Sequence, residues 1–329
     1  MLVKSNLPEE LTTRPGTIED IEQVYDLIRT RELVDYGLLD DTLEQVRTEW
    51  TGPLVNLAED SLLAFDQAGR LMGYVRMGQE QYAKFFTAMR VHPEYSDLRL
   101  GEYLVEWAEA WARERMEQAE PGVRVTLNGW LAGNDQLGRQ RYERAGLREI
   151  RRYWRMDIEM NEAPPAPAWP EGIELRPYVP DRDERLAFEI IDTAFQDHWG
   201  HIANRYEEWK HWMVERERFD PSLWFIAYQD GQAVGGAFCS NDDLNGWVDD
   251  LAVLRPARGK GLGTALLLHA FGEFYRRGQR VVGLGVDTQN LTGALRIYQR
   301  AGMHKVLENV SYEKELRAGV ELSTRELRD

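Results

Sequence analysis

The chain has 329 residues, 43% hydrophobic and 29% charged, with a formal net charge of −16. That length admits two domains, while the acidic balance argues against a nucleic-acid or anionic-membrane surface and no apolar run approaches the ~20 residues of a membrane-spanning helix. One cysteine, Cys239, excludes a disulfide framework or a cysteine-rich zinc site, and the opening "MLVKSNLPEELTTRPG" lacks the apolar core of a secretory signal, so a cytoplasmic protein is expected.

In chain order, the first half predicts an amphipathic helix over Ile18 to Ile28. Apolar strands follow in "SLLAFD", "LMGYVRM" and "FFTAMRV", then a long helix from Tyr103 to Gln118. "VRVTLNGW" reads as a strand, and a short helix ends in "RAG" with Gly146 as its stop. "RRYWRMDIEM" is expected to close this half. The stretch 161–173 is proline-rich and reads as a linker, which gives domains over 1–160 and 174–329.

The second half repeats the first. A helix is expected from Glu184 to Ala194, strands in "LWFIAYQ", "AVGGAFCS" and "GWVDDLAVL", a helix from Gly263 to Arg277, and a strand in "QRVVGLGV". A short helix again ends in "RAG", at Gly302, before "HKVLENVSYEKEL". Gly69 and Gly73 correspond to Gly231 and Gly235 at an offset of 162; Asn134, Tyr142 and Gly146 correspond to Asn290, Tyr298 and Gly302 at 156. An ordered series of such matches indicates an internal duplication. With strands outnumbering helices in mixed order, the fold class is α+β. Duplication supplies within one chain the symmetry that other proteins gain by dimerising, so a monomer is expected.

"VLRPARGKGLGTALL", Val253 to Leu267, carries the clearest chemistry. A strand runs into a basic turn with glycines at 259, 261 and 263, then into a helix. The first N–H groups of that helix lack internal partners, and glycine lets an anion approach the backbone. The spacing fits neither G-x-x-x-x-G-K-(S/T) nor G-x-G-x-x-G.

Arg258, Gly259, Lys260, Gly261, Leu262 and Gly263 resemble the (Q/R)-x-x-G-x-(G/A) pyrophosphate loop of the GNAT acyltransferases, and "NLTGALRIYQRAGM" resembles that family's later motif. The whole chain resembles a tandem GNAT, with a layout like that of the mycothiol synthases. The resemblance implies two GNAT-like domains, each a mixed, mostly antiparallel sheet flanked by helices. It also implies acetyl-CoA as co-substrate. Leu251, Ala252 and Val253 would pair with the pantetheine arm, residues 258 to Thr264 would hold the pyrophosphate, Asn290 would contact pantetheine, and Tyr298 would lie near the thioester sulfur.

An amine must lose a proton before it attacks a thioester, and a carboxylate can take it. Asp249 and Asp250 stand on the strand before the thioester, with alternation placing them on opposite faces. The pair resembles that of family members acting on polyamines; others carry a glutamate two residues earlier, where this chain has Trp247. The expected reaction is acetyl transfer to a primary amine, a cationic small molecule, in the C-terminal domain. A CoA-binding regulator without turnover, or a protein N-terminal or lysine acetyltransferase, is the alternative.

Asp197, His198 and Trp199, with Asp250, are expected to line the acceptor site; a metal there is not expected. Tyr206, Trp209 and Trp212 would wall it or pack. In the first half Ser96 and Arg99 replace Arg258 and Gly261, and Glu94, Asp97 and Glu102 surround the loop. Those charges repel an anion, so this half is expected to bind CoA poorly, and Tyr142 to serve packing.

Overall fold

Strand patterning and glycine stops give the chain the same order of elements twice, apart from one extra four-residue helix in the first copy. The structure, a computed structural model, describes residues 7–96, 99–203, 205–241, 245–290 and 293–325. Asp97, named above, lies outside them. Two compact units result: Met1–Arg152 with Glu308–Leu322, and Tyr153–Leu307 with Ser323–Asp329.

In the first unit, β1 (Thr12–Arg14) precedes α1 (Ile21–Asp35), α2 (Leu43–Trp50) and α3 (Leu57–Asp60). Then come β2 (Ser61–Phe65), β3 (Leu71–Glu80), β4 (Lys84–Val91), α4 (Leu100–Arg115), β5 (Val125–Ala132) and α5 (Gln136–Arg144). β4 alternates buried and half-buried residues along its whole length, as a strand with one face on the core does. β6 (Arg148–Glu159) leads into the second unit. There β7 (Ile173–Pro177) and α6 (Glu184–Phe195) are followed by α7 (Tyr206–Met213), β8 (Trp224–Gln229) and β9 (Gln232–Asn241). β10 (Gly246–Val253), α8 (Leu262–Arg276), β11 (Val281–Asp287), α9 (Ala294–Arg300) and β12 (His304–Arg317) complete the chain.

The first unit's strands run in the order β1-β2-β3-β4-β5-β12, the second unit's β7-β8-β9-β10-β11-β6. Pairing is antiparallel except for β4 with β5 and β10 with β11. The expectation that each half closes with its own last strand is therefore corrected. β6 lies along β11, Met156 opposite Leu284, and β12 lies along β5, Tyr312 opposite Gly129. Met156 joins the core of the second unit, and Val310 and Tyr312 that of the first.

Helix α8 packs Leu262, Ala265, Leu266, Ala270, Phe271 and Phe274 inward, spaced three and four apart. It ends where Gly278 turns to φ +88° and Gln279 N–H reaches back to the Phe274 carbonyl. The two short helices stop the same way. Gly146 and Gly302 adopt positive φ, and the next residues' N–H groups bond the carbonyls of Tyr142 and Tyr298. The stop motif thus fixes both tyrosines at one position of the repeated unit.

Candidate active site

The second unit holds the residues singled out by the sequence, arranged around β10. Its parallel ladder to β11 runs only through Gly246 opposite Val282 and Trp247 opposite Gly283. On its other side β10 stays paired to β9 as far as Val253. Leu254 N–H donates to the Val234 carbonyl, so alternation turns the Leu251 and Val253 amides away from β9, into the opening. Polar backbone there is available to an extended ligand.

The register slips between Val248 and Asp250, which makes Asp249 the extra residue of a β-bulge. Simple alternation at the acidic pair, as expected above, does not hold. Asp249 accepts a bidentate pair from Arg216, at 2.8 and 3.0 Å, with Arg218 at 3.7 Å. Both partners of the main pair are almost wholly buried. Asp249 is thereby spent on structure. Among the described residues Asp250 has no such clamp. Burial, and then repulsion from Asp249, raise its carboxyl to about 7 despite the opposing pull of Arg216. Tyr298, 8% exposed on α9, is pushed up to about 12 by burial and by the charge of Asp250. The two groups feel each other, and each is tuned away from its solution value.

The turn Arg255–Ala257 and the loop after it lead into α8. Gly259 and Gly261 adopt φ +75° and +89°, and a Cβ at either would meet nothing within 4 Å. The first rung of α8 is Ala265 N–H to the Gly261 carbonyl, so the amides before it face outward at the positive end of the helix. Leu262 is buried; Gly263 and Thr264 are half-buried.

The arginines of the loop are not free charges. Arg258 gives Nε to the Val253 carbonyl at 2.8 Å, one Nη to Asp197 at 2.6 Å, and the other to the Ala194 carbonyl at 3.0 Å. Arg255 pairs with the same carboxylate. The two arginines hold Asp197 down to about 2. Asp197, expected at the acceptor, is buried and acts as a pin between loop and α6. Lys260 is exposed and donates to the Pro256 carbonyl. His198 packs tilted against Phe195 with ring centroids 4.2 Å apart, and burial lowers it to about 4, so it is neutral at pH 7. Trp199 carries Arg325 4.3 Å above its ring. Tyr206 and Trp209 stack together, and Trp209 packs in the core. Asn290 sits in the turn after β11, its N–H on the Asp287 carbonyl. The sequence reading missed the Arg216 clamp: nothing in "VERERF" distinguishes Arg216 from a solvated charge.

The model of the Acetyltransferase (GNAT) family matches residues 21–128 and 185–303, more than half of the chain. The chain belongs to the GNAT family, as two tandem copies, and is an acyltransferase of the GNAT acetyltransferase type. It is similar to a GCN5-related N-acetyltransferase from Sphaerobacter thermophilus, at 34% identity over 96% of this chain and 99% of that one, with a TM-score of 0.84. It also resembles the mycothiol acetyltransferase of Thermobispora bispora, 29% identical over 68% of this chain and 74% of that protein. A tandem GNAT protein from the clavulanic acid biosynthesis pathway shares the fold at 18% identity and a TM-score of 0.71, over 94% of this chain and 100% of that one. Among the described residues no helix is long and apolar enough to cross a membrane.

Proposed function

We propose that the second unit transfers an acetyl group from acetyl-CoA to a primary amine of a small cationic molecule. The observation that carries this reading is the pairing of a carboxyl raised to about 7 with a buried phenol at the mouth of the β10–β11 opening. The pyrophosphate lies on the amides that open α8, with Gly259 and Gly261 leaving room for it. The pantetheine arm runs along Leu251 and Val253 as an added strand.

Asp250, half ionised near neutrality, takes a proton from the ammonium of the acceptor. The amine nitrogen attacks the thioester carbonyl carbon; a C–N bond forms and the C–S bond breaks. Backbone N–H groups of β10 stabilise the developing oxyanion. Tyr298, still protonated at pH 7, gives its proton to the departing thiolate and takes back the second proton of the attacking nitrogen as the neutral amide forms. A cationic acceptor suits the free carboxylate of Asp250, since Asp249 is already neutralised by arginine. Mycothiol acetyltransferases among the relatives support a small-molecule acceptor over a protein one.

The test is steady-state turnover of acetyl-CoA against a panel of primary amines, wild type beside Asp250→Asn. Turnover of a diamine or amino sugar that drops about 10²-fold or more in the variant supports the reading. Turnover unaffected by the substitution removes Asp250 as base.

A further inference from the structure

The first unit keeps the opening but not the loop. β4 and β5 pair from Lys84 opposite Thr126 to Thr87 opposite Gly129, where the ladder ends. Beyond it Arg90 and Val91 on one strand and Leu131 and Ala132 on the other wall a small cavity of about 50 Å³, open to solvent at one side. A volume of that order holds a few waters or one small anionic group. The counterpart of the pyrophosphate site is occupied by protein. Arg141 lies across the first turn of α4, so that a Cβ on Gly101 would collide with its guanidinium. Tyr142 packs over Gly129 with its hydroxyl 3.3 Å from Thr87 Oγ1.

The polar groups of this cavity are unevenly satisfied. Its carboxylates are in use. Glu32 accepts the N–H groups of Asp40 and Asp41, both at 3.0 Å. Asp135 accepts Gly138 N–H at 2.8 Å, and Asp35 takes Arg31 at 2.5 Å. Of its three guanidiniums Arg31 is paired with Asp35 and Asp135, and the other two have more to give. Arg141, which lines the cavity and is only 7% exposed, makes no hydrogen bond through Nε; its nearest carboxylate is Glu102, at 3.9 Å. Arg90 gives one bond to the Met89 carbonyl and stands 4.0 Å from Asp41. Both guanidiniums act on the Tyr142 phenol, pulling it down against the rise that burial causes, so they share one neighbourhood. A buried guanidinium with an unfilled donor is costly unless an acceptor completes it.

We propose that this cavity binds a small anion, a carboxylate or a phosphate, through Arg141 and Arg90. The site is independent of acetyl transfer in the second unit. It takes over a cleft whose own loop has lost the glycine geometry that a CoA pyrophosphate needs.

The test is calorimetric titration of inorganic phosphate, succinate and acetyl-CoA into full-length Gly261→Glu, where the second unit's loop is blocked. Saturable binding of phosphate or succinate at one equivalent is expected, and whichever binds more tightly identifies the headgroup. Arg141→Gln in the same background should weaken that binding about tenfold or more. Should Arg141→Gln fail to fold, Arg90→Lys serves, with the same loss expected. No binding of either anion, or binding that neither substitution changes, overturns the proposal. So does acetyl-CoA binding that phosphate displaces, which would make the cavity a CoA site after all.

Discussion

A carboxylate in water is fully ionised at pH 7 and is a correspondingly weak base. Asp250 escapes that limit because burial and its neighbour Asp249 both oppose its charge. For a base with a carboxyl at about 7, kcat/KM should climb with pH and level off above neutrality. In Asp250→Asn that limb should vanish along with about 10²- to 10³-fold of the rate. Stability moves the other way. Asp250 holds its proton more tightly folded than unfolded, so its contribution is full below pH 4 and is lost as pH rises towards 7. Thermal melts should show Asp250→Asn gaining more over wild type at pH 8 than at pH 4; an equal gain at both would mean the carboxyl is not raised. Arg216 sets the scale of the effect. Without it Asp249 is buried and less compensated, at a cost of about 3–5 kcal/mol, and repels Asp250 more strongly. Arg216→Met should therefore shift the acid limb of the pH profile upward, and Asp249→Leu added to it should restore stability.

At the scale of elements, the loop before α8 is held by a pin as much as by its glycines. Arg258 reaches β10, Asp197 and the end of α6 at once, which ties together the three pieces that frame the cleft. Asp197→Asn discriminates between two roles for that arginine. If Arg258 positions the loop, the variant should bind acetyl-CoA about tenfold more weakly by calorimetry. Were Arg258 a phosphate contact held back by Asp197, freeing it would tighten binding instead. The acid limit follows too: Asp197, held at about 2, stabilises the fold above the usual carboxylate range, and that support is lost as pH falls from about 4 towards 2. Much of this was legible beforehand. Alternate glycines marked a turn at the head of a helix, which the structure has, with φ +75° at Gly259 and +89° at Gly261, and apolar spacing predicted α8 to within a residue of its ends. The bulge at Asp249 was not legible, since "WVDDLAV" satisfies plain alternation equally well. Nor was the Asp197 pin, because an ion pair between residues 61 positions apart leaves no local pattern.

For the whole molecule, the exchange of last strands makes the two copies depend on one chain. A strand's sequence says that one face is apolar but not which sheet it joins, so "RRYWRMDIEM" and "HKVLENVSYEKEL" each read as the end of their own half. The side chains do distinguish the partners. Tyr312 of β12 sets its ring against Tyr142, with centroids 5.4 Å apart, and both are nearly inaccessible. By the repeat offset of 156, the residue that β6 would bring to that place is Met156. A fragment of residues 1–160 would thus close its sheet with a methionine where a tyrosine fits, and with Trp154 where Val310 fits. Shape mismatches of this kind in a packed core cost about 1–3 kcal/mol each. The fragment should melt well below the full chain, and 174–329, which ends in a strand made for the other unit, should do the same. Mixing the two pieces should recover the intact protein's melting temperature and protect β5 and β11 amides from hydrogen exchange. If 1–160 alone melts as the full chain does, with β5 protected, β6 is an adequate sixth strand and the exchange contributes nothing to stability.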